Sequence, residues 1–130
     1  MTYLLDSSVI IDALNDRNGR RDLLAKLSER EILLACCAVS VTELYMGIRP
    51  GEEARTELFL RHLEFFPVRW EEAKLAGDLF RQWRQQGRTL GLADVTIAAV
   101  ALTHGLPLLT DNVKHFPMAE LEIVPLPDTI

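Results

Sequence analysis

The chain has 130 residues, 48% apolar and 25% charged, the size and balance of one soluble globular domain able to build a core without disulfides or structural metal. Its net charge of −5 excludes a protein whose whole surface is basic for nucleic-acid binding, so any such role must rest on acid gathered at a metal site or masked by a basic partner. No apolar run reaches the ~20 residues of a membrane span, and no secretory leader is expected, because Asp6 interrupts the only apolar opening.

In chain order, Tyr3 to Leu5 predicts a short buried strand and Ser7 to Leu14 a helix leaving it. Asn15 to Arg21 is polar, contains Gly19 and predicts a loop. Asp22 to Arg30 is an amphipathic helix with Leu23, Leu24 and Leu27 on one face. Ile32 to Val39 reads as a second buried strand holding the adjacent Cys36 and Cys37. Neighbouring strand residues point to opposite faces, so these thiols do not bond to each other. They read as small buried hydrophobes of a reducing, cytoplasmic compartment.

Ser40 to Ile48 predicts a helix broken by Pro50-Gly51. Glu52 to Leu63 is a charged helix, Phe66 to Arg69 a third strand, and Trp70 to Gln86 a long helix ended by Gly87. Leu92 to His104 is apolar on most faces and should lie centrally. Leu108-Leu109 is a fourth strand, and Glu122 to Pro125 holds a weak fifth. Strands alternating with helices predict a single α/β domain over residues 1–130 with a parallel sheet, whose ligands gather at the carboxyl ends of the strands.

Four acids stand where structure gives them little reason to be. Asp6 ends the first strand, Glu43 sits in the Val41–Ile48 helical segment, Asp94 opens the most apolar helix, and Asp111 follows the fourth strand. Burying one unpaired carboxylate costs several kcal/mol, and crowding several costs more. A cation usually offsets that cost, and hard oxygen ligands suit Mg²⁺ or Mn²⁺. With such ions the commonest chemistry is on phosphate esters.

Each acid also has a bland reading. Asp6 fits a helix cap, and Glu43 fits a capping box with Ser40. Asp94 complements a helix dipole, and Asp111 serves as a solvated turn residue. Asp12 lies off to the side on its helix and reads as a capping or solvated acid. Ser7, Ser8 and Thr110 are placed to orient carboxylates, or to serve as cap and turn residues. Arg17, Arg20, Arg21, Arg49, Arg88 and Lys114 read mostly as solvated surface, with several rimming the acidic edge where a phosphate backbone needs screening. His62, His104 and His115 lack metal-ligand spacing, and no phosphate-cradling glycine loop or nucleophile elbow occurs.

The four segments Leu5–Asp12, Val41–Ile48, Leu92–Ala99 and Leu109–Phe116 resemble, in order and spacing, the motifs of the PIN domain, and more narrowly of VapC-type toxins of toxin–antitoxin pairs. The resemblance spans essentially the whole chain. It implies a three-layer α/β/α domain with a central, mostly parallel sheet of about five strands. It implies Mg²⁺- or Mn²⁺-dependent endoribonuclease activity, an RNA substrate, a cognate VapB-type antitoxin and a homodimer. Asp6, Glu43 and Asp94 would be acidic metal ligands. In the fourth motif the acid is Asp111, where many relatives place an acid at the position of Asn112 or His115. The fourth metal-site residue is then Asp111 or Asn112. The resemblance favours Asn112 by its position after the strand, with Asp111 a catalytic residue acting through the local field. Asp111 facing the site would instead add a fourth charge and favour a second cation. A partner-docking role is expected of Phe59, Phe65 and Phe66, against an ordinary core role.

Two rival functions stand beside this one. A phosphatase working through an aspartyl-phosphate would use Asp6, but wants a second Asp two residues on, where Ser8 stands. A non-catalytic RNA-binding scaffold would not need acids at all three motif positions.

Overall fold

The computed structural model describes residues 1–126, so the end of the expected domain, 127–130, lies outside the described residues. The elements run β1 (Thr2–Leu5), α1 (Ser7–Leu14), α2 (Arg20–Glu29), β2 (Leu33–Cys37), α3 (Ala38–Met46) and α4 (Glu53–Arg61). They continue with β3 (Glu64–Phe66), α5 (Trp70–Gln85), α6 (Leu92–His104), β4 (Leu108–Leu109), a short 3-10 turn (Val113–His115) and β5 (Ile123–Val124). The strands form one sheet in the order β3-β2-β1-β4-β5, every neighbouring pair parallel.

Strand pleating splits the core into two layers. Leu4, Cys37 and Leu108 face one side, under α5 and α6, where Ala76, Leu79, Val95, Ile97 and Ala98 pack. Leu5, Cys36 and Leu109 face the other, under Val9 and Ile10 of α1 and Leu24 and Leu27 of α2. The adjacent cysteines thus point to opposite faces as the period of a strand requires. Both are free and buried. Burial pushes the Cys36 thiol up to about 11, with the neighbouring Cys37 adding to the shift, and burial raises Cys37 as well. Neither is a reactive thiolate. α6 is buried on every face from Val95 to Ala101, which accounts for its lack of a polar face there. Each large side chain such as Ile97, 1% exposed, contributes about 1.5–3 kcal/mol by leaving water.

The chain leaves β1 toward β2 and β3 on one flank, then returns to β4 and β5 on the other. The direction of winding reverses between β1 and β4, and parallel sheets open a crevice at the carboxyl ends of such a pair. Asp6 directly follows β1, and Thr110 directly follows β4.

Several boundaries shift from the sequence expectation, among them that of β2, which ends at Cys37 rather than Val39, and three of the shifts have a clear physical reason. The third strand is Glu64–Phe66 rather than Phe66 to Arg69; Phe66 lies opposite Cys37 at its end, and Pro67 has no N–H with which to extend the ladder. α3 starts at Ala38 rather than Ser40, so Ser40 lies inside the first turn, fully buried, and the Ser40–Glu43 capping box does not form. α2 starts at Arg20, because Asn18 (φ 57°) and Gly19 (φ 68°) turn the chain through the left-handed region just before it. No helix among the described residues is long and apolar enough to cross a membrane.

Candidate active site

Asp6 caps α1 and is 5% exposed. Its Oδ1 accepts the Ser7 N–H at 2.8 Å. Its Oδ2 accepts the Thr110 hydroxyl at 2.6 Å and, at 3.4 Å, the Ser8 hydroxyl. Thr110 is itself oriented, since its Oγ1 accepts the Asn112 N–H at 2.9 Å and leaves its single proton for Asp6. Capping and site-building coexist here, because three donors fix the carboxylate without using all its lone pairs.

Glu43 is carried by α3, whose axis runs beside α1 and α6. Its Oε1 accepts the Ser7 hydroxyl at 2.6 Å. Ser40 Oγ lies 3.0 Å from Ser7 Oγ, and Cys37 Sγ lies 3.9 Å from Ser40 Oγ. Each hydroxyl has one proton. Once Ser7 gives its proton to Glu43, Ser40 must donate to Ser7, and the protonated Cys37 to Ser40. A buried relay therefore ends on Glu43, and Ser7 ties the Asp6 and Glu43 segments together through its backbone and side chain.

Asp94 lies in the first turn of α6, a favourable place for negative charge. Burial pushes its carboxyl above the usual range. His115, 3.4 Å away through Nδ1, works against that rise, whereas Asp6 and Glu43 add to it. Asp6 from the cap of α1 and Glu43 from α3 thus come within electrostatic reach of Asp94 on α6, three of the four acids named by the sequence. Gly91 caps α6 and makes room for Asp94: a Cβ there would stand 3.3 Å from Asp94 Oδ2.

Among the described residues, no three acidic, histidine or cysteine groups close into a ready coordination sphere. Asp6 and Glu43 both disfavour the charged form of Asp94. Their donor chemistry fits a hard divalent cation: carboxylate oxygens held by hydroxyl and amide donors, and an acid whose charged form is disfavoured until positive charge arrives.

Asp111 is differently placed. The Arg20 guanidinium grips it, Nη2 to Oδ1 at 2.5 Å and Nε to Oδ2 at 3.4 Å. Asn112 is exposed and contributes its N–H to Thr110. Asp12 accepts the Asn18 amide at 2.8 Å. Of the basic residues read as a rim, Arg20 is buried, whereas Arg21 donates to the Ala13 and Leu14 carbonyls that end α1. Arg88 donates to the Lys114 carbonyl. Arg20 as the partner of Asp111 was missed in the sequence. Its only signal is the pair Asn18-Gly19 before it, whose left-handed turn starts the helix two residues earlier than the polar run suggests.

The PIN domain family profile matches residues 3–121. Ribonuclease VapC10 of Mycobacterium tuberculosis is 37% identical over 117 residues, 90% of this chain and 87% of the relative. Ribonuclease VapC19 of the same species is 33% identical, covering 88% of this chain and 92% of the relative. Among solved structures, VapBC2 from Rickettsia felis bound to a promoter DNA fragment superposes with a TM-score of 0.83 at 23% identity, over 95% of this chain and 98% of that one. VapBC-1 of Haemophilus influenzae gives 0.80 at 24% identity, over 95% and 97%.

Proposed function

The chain belongs to the PIN-domain family and, within it, to the VapC ribonucleases, and on that premise we propose that it is a Mg²⁺- or Mn²⁺-dependent endoribonuclease, the toxin half of a toxin–antitoxin pair. One observation carries this reading. Asp6, Glu43 and Asp94 lie 37 and 51 residues apart in sequence, yet Ser7 bonds to both Asp6 and Glu43, and the Asp94 carboxyl, raised mainly by burial, is pushed further up by those two acids. Among the described residues only His115, 3.4 Å from Asp94, opposes that crowding, so a further ligand of positive charge is the natural complement of the cluster.

Asp6, Glu43 and Asp94 would hold the cation, with the exposed Asn112 offering a neutral oxygen as the fourth contact. Bound there, Mg²⁺ or Mn²⁺ supplies Lewis-acid stabilisation of a phosphate ester and activation of water near neutral pH. The chain's own part is orientation. Thr110 and the Ser7 N–H hold Asp6, and the Ser7 hydroxyl holds Glu43. Gly91 leaves Asp94 free of side-chain crowding. Single-stranded RNA presents its phosphates to such an open edge more readily than a duplex does. The test is cleavage of single-stranded RNA by the purified chain with Mg²⁺, with Mn²⁺ and with chelator. Loss in chelator and recovery on adding back either metal supports the reading; cleavage that persists in chelator overturns it.

The partners follow from the same reading. The relatives solved as VapBC complexes support a VapB-type antitoxin. In this proposal an antitoxin Arg or Lys reaches Asp6 and Asp94, a charge-assisted contact that excludes the cation. Of the three phenylalanines considered for docking, Phe59 packs on the core beneath α1 and α2, and Phe66 on the opposite core. Phe65, on edge strand β3, is 57% exposed, and α3 also exposes Tyr45 and Met46 beyond Glu43. A homodimer belongs to the same proposal, supported by a groove between α5 and α6 lined by Val68, Ala76, Phe80, Leu92 and Val95. Leu92 there is 78% exposed. Cytoplasmic placement is supported by two free, buried thiols. Co-expression with the neighbouring antitoxin gene should suppress cleavage, and sedimentation should return twice the chain mass.

A further inference from the structure

Arg20 occupies a costly position. It opens α2, where the positive end of the helix dipole disfavours a cation, and it is 4% exposed. A buried charge of this kind needs a fixed partner. Asp111, 91 residues on in the chain, supplies one through both carboxylate oxygens, and the Asn18 carbonyl accepts Nη1 at 3.1 Å. The backbone is arranged for this contact. The Asn18 side chain is tied to Asp12 on α1, and Asn18 and Gly19 are both left-handed. Together they aim the first residue of α2 inward at the exit of β4. Asp111 in turn sits between Thr110, which donates to Asp6, and Asn112, whose N–H holds Thr110 in place.

We propose that Arg20 is a positioning residue of the metal centre. By clasping Asp111 it makes that acid the anchor of the Thr110–Asn112 turn and leaves cation binding to Asp6, Glu43 and Asp94. This rests on the functional reading above. It gives the fourth acid of the edge a role distinct from the other three. Its charge is already matched, so it adds little to the repulsion within the cluster. What it adds is the fixed angle at which Thr110 meets Asp6. Arg20 is too buried to reach an RNA phosphate while it holds Asp111.

The test uses the full chain free of antitoxin and compares R20Q, R20K, D111N and R20Q/D111N with wild type. Mn²⁺ affinity is read by calorimetry, RNA cleavage as kcat and KM, and amide exchange at Asn112 in metal-free protein. R20Q should weaken Mn²⁺ binding about 10–100-fold, the usual cost of losing a group that orients a ligand. It should speed exchange at Asn112 and leave the KM for RNA unchanged. D111N should do the same, the double variant should be no worse than either single one, and R20K, which keeps the charge without the fork, should fall between. A raised KM with unchanged Mn²⁺ affinity in R20Q or R20K would assign Arg20 to RNA and overturn the proposal. So would D111N losing Mn²⁺ affinity while both Arg20 variants keep it, which would make Asp111 a direct ligand. Wild-type protein that binds no Mn²⁺ would remove the functional reading and this proposal together. Wild-type binding matched by R20Q and R20K removes this proposal alone.

Discussion

Two neighbouring helices carry two acids that the fold treats in opposite ways. Glu72, near the start of α5, is buried and accepts His104 Nε2–H at 3.0 Å from the last turn of α6. Hydrogen bonds from its own backbone and from His104 hold it below the usual carboxylate range. Asp94, at the other end of α6, is pushed upward by burial and by Asp6 and Glu43, with only His115 opposing. An acid with a fixed partner strengthens the seam between two helices. Acids whose neighbours are chiefly other acids and neutral hydroxyls make the fold less stable at neutral pH and wait for a ligand. Arg20–Asp111 shows how close the two kinds can lie, a matched pair one residue from the Thr110 that serves the unmatched cluster.

The sharpest way to break this contrast is to remove the unmatched charges. D6N, E43Q and D94N should each reduce metal-dependent RNA cleavage to background while the fold survives. For Asp94 two terms compete. Losing a favourable dipole contact costs about 0.3–1 kcal/mol, while relief from burial and from like charge works the other way. A folded-state carboxyl raised above its unfolded value costs no stability below the unfolded pKa. The cost appears as pH climbs through the folded one. D94N should therefore gain on wild type in metal-free thermal melts from pH 3 to pH 8. A gap that stays flat or narrows over that range would contradict the repulsion invoked here.

Next in size is T110V, which takes the short hydroxyl donor from Asp6 and leaves the Asn112 N–H without its acceptor. The metal needed for half-maximal cleavage should rise about 10–100-fold, with the saturating rate less affected. On the matched side, E72Q should leave cleavage intact and change only stability. A carboxyl lowered on folding contributes stability that is present above its unfolded pKa and is lost as pH falls through its folded value. Acid melts of E72Q should therefore fall less steeply than those of wild type. A parallel loss of cleavage would place Glu72 with the functional acids. The smallest effect belongs to G91A, where the new Cβ and Asp94 Oδ2 must separate by a few tenths of an ångström. Metal affinity should drop severalfold with no matching loss in melting temperature.

Much of this arrangement is legible in the sequence because it depends on local periodicity. The α6 span and β4 follow from largely apolar runs bounded by glycine or proline, and the opposite-facing cysteines follow from strand alternation. Asp6 and Asp94 are visible as acids at the ends of apolar segments. What is not legible depends on pairing in three dimensions. Glu43 looks like half of a capping box until Ser40 is found inside the helix and the Ser7 hydroxyl on its carboxylate. The edge strand β3 is misplaced because an edge buries one side only, leaving Phe65 exposed and Pro67 to end the ladder. Arg20 reads as a solvated loop residue because its partner lies 91 positions away.

The central claim is that Asp6, Glu43 and Asp94 form one divalent-cation site that the rest of the chain orients. The most direct measurement is calorimetric titration of Mn²⁺ into metal-free, antitoxin-free wild type and D94N at neutral pH. Saturable binding in wild type that disappears in D94N, while both proteins give the same circular dichroism spectrum, is the predicted result. Equal binding by the two proteins, or no binding by wild type, would contradict it.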